Sequence, residues 1–235
     1  MSYVFEPPAR PSVAVVGASS SEDRFWVRRI YCVGRNYAAH AREMGGDDRD
    51  PPFFFAKPAD AIVENGGEVP YPPDTEDFHY ETELVVAIGR AGVNVEVDDA
   101  LSHVFGYAVG NDLTRRDLQR AAKEARRPWD LSKGFDHSAV VGPIHPASAV
   151  GHPSKGSIRL QVNGETKQDA DLEEMVWSVP EIVAYLSRSV TIAPGDLILT
   201  GTPAGVGPLV VGDRCRAEIE GLGALDFSIV GRSIC

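Results

Sequence analysis

The segment Leu84-Val85-Val86-Ala87-Ile88 is apolar without a break, and residues 104–109 are nearly so. Short unbroken runs of this kind predict strands buried on both faces rather than half-exposed ones. Residues 30–33 and 53–56 read as further short strands, the second stopped by Lys57-Pro58. Asn36 is placed to cap a short helix through Met44, which Gly45-Gly46 ends. Residues 47–52 form a polar, proline-bounded loop. Thr114 with Asp117 resembles a capping box opening a helix to about Arg126, with Leu118, Ala121, Ala122 and Ala125 as its apolar stripe. Asn163-Gly164 between residues 158–162 and 165–168 predicts a hairpin. Ser178 with Glu181, and Pro180 in the first turn, open a helix through about Arg188. Residues 197–200, 214–219 and 224–230 read as closing strands. Strands outnumber helices without alternating regularly with them, which predicts a mostly β fold with a few helices, an α+β roll or sandwich. Residues 1–25, with scattered prolines and Ser19-Ser20-Ser21, read as an arm lying over one domain at 26–235.

Composition narrows the field. A chain of 235 residues with 43% hydrophobic content can bury one full core without staples. A net charge of -11 argues against nucleic acid as the partner, because phosphate binding needs a basic face. Cys32, Cys215 and Cys235 are too few and too scattered for a disulfide framework or zinc site, which fits a reducing cytoplasm. No apolar stretch reaches membrane-spanning length, and no secretory signal is expected.

The chemistry concentrates where the strands end. Glu81 and Glu83 flank one residue at the entry to the apolar run, so alternation points both the same way. Two carboxylates facing one pocket need a cation, a shared proton or water. A solvated strand end would explain this pair alone, but Asp112 closes the second apolar run. Three oxygen donors on rigid strands suit a hard divalent ion, Mg²⁺ or Mn²⁺. His40 and Glu43 share a helix face at i and i+3, an arrangement in which the carboxylate orients an imidazole that can deprotonate water. Flanking glycines and a loop would let that helix close over a site as a lid. The glycine-rich segment 200–207 could bring backbone close to an anionic ligand, or be a turn only. Lys57, Arg116 and Lys133 are the nearby cations, and Trp129 and Phe135 bracket Lys133. Asp117 is explained by helix capping, and His79 by a supporting or core role.

Five stretches together resemble the fumarylacetoacetate hydrolase family: residues 31–44 with His40 and Glu43, 55–58, 79–83, 111–117 and 199–207. They occur in the family's order between about Ile30 and Val230. The resemblance implies the family's mixed β-roll, a homodimer, and Mg²⁺ or Mn²⁺ held by Glu81, Glu83 and Asp112. It implies that His40 and Glu43 activate water from a lid, and that Lys133 acts in catalysis. Arg116, Gln119 and Thr202, with Gly201 and Lys57, would face the substrate. The extra N-terminal domain of the fumarylacetoacetate-cleaving members has no counterpart in these residues, which points to the shorter acylpyruvase branch. Within it the proline-rich arm and residues 51–58 look most like bacterial fumarylpyruvate hydrolases of gentisate breakdown. The expected reaction is hydrolysis of the carbon–carbon bond of a small 2,4-diketo acid. Decarboxylation of oxaloacetate, or isomerisation or dehydration of another 2-keto acid, would use the same scaffold. A non-catalytic metal-dependent ligand binder would have no need of His40.

Overall fold

The structure, a computed structural model, describes residues 3–20, 22–37 and 50–232. It is mostly β with a few helices, as expected. The central sheet runs in the order Phe53–Lys57, Arg29–Gly34, Asp196–Leu199, Thr82–Ile88, Val104–Asp112, Ala139–Val141, Ile62–Glu64, and His145–Pro146 also pairs with Val104–Asp112. A second sheet runs Glu165–Asp171, Ser157–Val162, Arg214–Ile219, Gly223–Val230, Glu68–Pro70.

Thr82–Ile88 is buried at every position, because apolar cores lie on both of its faces. Leu84, Val86 and Ile88 join Leu160, Ala217 and Phe227 of the second sheet. Val85 and Ala87 project the other way, into a core with Ile30, Cys32 and Leu199. A strand clamped from two sides cannot slip by one residue without burying the wrong set, so its register is strongly specified. That fixes where its acidic end lies.

The hairpin forms as expected: Asn163 and Gly164 both have positive φ, 53° and 83°, the backbone a primed two-residue turn requires. The helix Val179–Ser189 carries the expected capping box, with Glu181 Oε2 accepting from the Ser178 amide at 2.9 Å. Strand Ser12–Ala14 pairs with Arg24–Trp26, and Val13 is fully buried in the second core.

Two local expectations are corrected. The helix starts at Arg116, not at a Thr114 cap, because Thr114–Arg115 is drawn into a strand against Phe78–Tyr80. Asp117 instead accepts from Thr75 Oγ1 at 2.6 Å and from the Glu76 and Leu118 amides, tying the helix to the preceding loop. This helix is also turned over: Arg116 and Gln119 are its buried residues, while Ala121 and Ala125 are exposed. Its inner face meets a charged pocket, so polarity there marks burial. The expected helix through Met44 falls on residues 38–49, outside the described residues. Asn36, expected as its cap, uses its side chain to accept from the Trp177 amide and donate to the Trp177 and Thr200 carbonyls.

Candidate active site

Thr82 pairs with Asn111 across the sheet, so Glu81 and Asp112 face each other where the two strands end. The Asp112 amide donates to the Glu81 carbonyl at 2.8 Å. Asn111 Oδ1 accepts from the Glu81 amide at 3.0 Å, and its Nδ2 donates to Thr82 Oγ1. The result is a rigid platform from which Glu81, Glu83 and Asp112 each present an oxygen within 4.8 Å of the others. Their exposures are 5%, 1% and 0%.

Among the described residues, three cations pair with this charge. Lys133, closing the short helix Asp130–Lys133, places Nζ 2.7 Å from both Glu81 Oε2 and Asp112 Oδ2. Burial works against that ammonium, but Asp112 and Glu81 outweigh it and hold its pKa above the ordinary lysine value. Lys57 reaches Asp112 Oδ1 at 2.7 Å and donates to the Leu113 and Lys133 carbonyls. The Arg116 guanidinium bonds Glu81 Oε1 and Gln119 Oε1. Glu83 differs, forming no ion pair among the described residues; its Oε2 accepts from the Gly201 amide at 2.7 Å. Burial, then Asp112 and Glu81, push its pKa well above the usual carboxylate range.

A buried carboxyl facing two others and driven towards its protonated form is a position where added positive charge is favourable. The space beside the acids, lined by Glu81, Glu83, Arg116, Gln119, Lys133 and Thr202 among others, encloses about 20 Å³, room for about one water-sized species. Oxygen donors, burial and size therefore fit a hard divalent ion.

The family described as fumarylacetoacetate (FAA) hydrolase C-terminal matches residues 29–230. This chain belongs to that family. A solved fumarylpyruvate hydrolase from Pseudomonas aeruginosa, in complex with Mn²⁺ and pyruvate, is 51% identical and superposes with a TM-score of 0.95, covering 98% of this chain and 100% of that one. The fumarylpyruvate hydrolase of a Ralstonia species is 44% identical over 177 residues, 75% of this chain and 92% of that protein. The mitochondrial oxaloacetate tautomerase of Arabidopsis thaliana is 39% identical over 204 residues, 87% of this chain and 92% of that protein. The β-roll expected from the resemblance is thus the observed fold.

Within this fumarylacetoacetate hydrolase fold, the other residues named from the sequence take distinct places. Arg116, Gln119, Lys133 and Thr202 line the pocket beside the acids. Lys57 lies behind them, enclosed by its three partners, and is absent from the pocket wall. Gly201 does bring its backbone to an anion, but that anion is Glu83. Its φ is +96°, and a Cβ there would stand 2.7 Å from Asn36 Cβ, so only glycine allows both the turn and the approach. His79 supports Arg116: its Nδ1 accepts from Arg116 Nε at 3.4 Å and its Nε2 meets Asp77 at 2.7 Å. Burial and the nearby guanidinium lower its pKa. His40 and Glu43 lie outside the described residues.

Sequence reading missed Gln168. It is fully buried, its Oε1 accepts from the Thr82 amide at 3.0 Å, and its Nε2 donates to Thr202 Oγ1 at 2.8 Å and to the Pro203 carbonyl. It couples the acid-bearing strand to the glycine-rich segment. A glutamine on the far strand of a surface hairpin carries no local signal of that role. Also missed was the aromatic wall of Phe53, Phe55 and Trp129, with ring centroids of 5.2 Å and 5.7 Å from Trp129 to the two phenylalanines.

Among the described residues no helix is long and apolar enough to cross a membrane. Cys32 and Cys215 are buried and unpaired.

Proposed function

We propose that this chain is a divalent-metal-dependent hydrolase that breaks the carbon–carbon bond of an acylpyruvate, taking fumarylpyruvate to fumarate and pyruvate. The observation that carries the reading is the buried triad Glu81, Glu83 and Asp112 with the Lys133 ammonium bridging two of its members. The manganese and pyruvate in the Pseudomonas relative support it.

The three acids hold the ion, Mg²⁺ or Mn²⁺, which when bound supplies Lewis-acid polarisation at an oxygen-rich substrate end. Lys133 has three N–H donors, two of them committed to Glu81 and Asp112. The third is available to the oxygen on which charge develops as pyruvate departs with the bonding electron pair, where a fixed donor lowers the barrier most. Arg116 occupies Gln119 Oε1, leaving that amide's NH₂ as a donor to the substrate. Gly201 and Lys57 act by holding Glu83 and Asp112 in place. His40, oriented by Glu43, takes a proton from the water that attacks the distal carbonyl, and return of a proton to the departing enolate carbon completes pyruvate. Residues 26–235 form the catalytic domain, residues 1–25 an arm over it whose strand Ser12–Ala14 closes the second core, and the enzyme works as a cytoplasmic homodimer on a small anionic substrate.

The tautomerase relative favours a second reading, in which the pocket shifts a proton on oxaloacetate without breaking a carbon–carbon bond. Product analysis separates the two. With Mn²⁺ the chain should convert fumarylpyruvate to equal amounts of fumarate and pyruvate with no carbon dioxide. His40→Ala should cut that turnover by roughly 10²–10⁴-fold at unchanged metal content. Rapid oxaloacetate tautomerisation with no cleavage of fumarylpyruvate would replace the hydrolase reading.

A further inference from the structure

Among the described residues lining this pocket, Arg35 is the cation that the triad does not engage. Lys57, Lys133 and Arg116 each form an ion pair with a carboxylate of the triad. Arg35 lines the same pocket and forms no ion pair among the described residues. Its Nε is sealed from solvent without a hydrogen-bond partner among them. Arg35 as a whole is half-buried, but an Nε sealed from water without an acceptor is costly, and guanidinium is the group best matched to a carboxylate.

The backbone holds Arg35 there against its own preference. Its φ is +59°, a left-handed conformation unusual for a long side chain. The preceding Gly34 has the Phe53 ring where a Cβ would be, with Phe53 Cζ 2.0 Å from that point. The Arg35 guanidinium in turn lies 5.8 Å from the centroid of the Phe53 ring. A second cavity of about 340 Å³ adjoins the acid pocket and shares Phe55, Trp129 and Lys133 with it. The site therefore has room beyond the metal position, bounded by aromatic rings.

Given the hydrolase function proposed above, the charge balance points to a ligand for Arg35. Three acids and three paired cations cancel, and one divalent ion answers the keto-acid end of the substrate. A trans double bond keeps the far carboxylate of fumarylpyruvate away from that end, so it needs a cation of its own. We propose that Arg35 receives this distal carboxylate and thereby selects dicarboxylic acylpyruvates over those with a neutral acyl group. Arg127, which lines the second cavity, is exposed and so stays hydrated; Arg159, exposed on strand Ser157–Val162 and outside both cavities, is the control.

The test is steady-state kinetics of the Mn²⁺-loaded chain on fumarylpyruvate and on acetylpyruvate, which lacks the far carboxylate. Arg35→Gln should lose roughly 10²-fold in kcat/KM on fumarylpyruvate, mainly through KM, and change less than about 3-fold on acetylpyruvate. Arg35→Lys should recover part of the loss, and Arg159→Gln should behave as wild type. Equal losses on both substrates, or no loss on either, would overturn the assignment. A wild-type chain that cleaves neither compound would overturn the hydrolase reading itself.

Discussion

Lys133→Met is expected to destabilise the metal-free protein by about 3–5 kcal/mol, the usual cost of removing one partner from a buried ion pair. For a chain of this length that corresponds to a fall in thermal midpoint of about 10 °C. The ammonium lies 2.7 Å from two carboxylates that are themselves almost wholly buried. Methionine can fill the volume beside Phe55, whose ring centroid lies 5.1 Å from Nζ, but it brings no charge. Mn²⁺ should restore part of the stability, since it replaces the missing positive charge among the same oxygens. Turnover should not recover, because the donor aimed at the departing pyruvate is gone; a loss of roughly 10²–10³-fold is the expected scale. Thermal unfolding with and without Mn²⁺, beside a turnover assay, reads both effects. An unchanged midpoint in the metal-free variant would mean that the lysine is not what holds these acids together.

Glu83→Ala should act differently on the free protein. Glu83 forms no ion pair among the described residues and is pushed towards protonation by burial, Asp112 and Glu81. Removing it takes away repulsion but leaves the buried Gly201 amide without its acceptor, so the metal-free variant should lose much less stability than Lys133→Met. What it loses is the ion. At 100 times its dissociation constant a ligand stabilises the wild type by about 2.7 kcal/mol, and that increment should vanish in the variant together with all metal-dependent turnover. A variant that retains a full metal complement after dialysis would remove Glu83 from the ligand set. The pair of substitutions is informative because one exposes uncompensated charge and the other relieves it, although both residues border the same few cubic ångströms.

Much of this arrangement was legible in the chain because local pattern and burial agree. The run Leu84 to Ile88 reads as a strand buried on both faces, and Glu81 and Glu83 at its mouth cannot be casual surface acids once both faces are covered. Asn163-Gly164 and the Ser178–Glu181 box work through neighbouring backbone, so sequence alone specifies them. The helix at Arg116 misled for a physical reason: its stripe of Leu118 and alanines is what a helix normally buries, yet its inner neighbour is a charged pocket, which draws Arg116 and Gln119 inwards. Thr114 could not be read as a strand residue because its partner, His79, lies 35 positions away in sequence and has little strand around it. Gln168 reaches Thr82 and Thr202 from a distant hairpin, and no spacing encodes that reach. Lys57 was visible as a cation, but only the register of its strand shows that it faces Asp112 from behind. Arg35 follows a glycine in a motif otherwise remarked for His40 and Glu43, and its missing partner becomes evident only when the other cations are paired off.

Metal binding and turnover both rest on a single cation shared by Glu81, Glu83 and Asp112. Crystals of the Mn²⁺-loaded chain, measured at the manganese absorption edge, should give one strong anomalous peak per chain, bounded by oxygens of those three side chains. A peak elsewhere, or manganese-dependent turnover with no anomalous signal between the three acids, would contradict it.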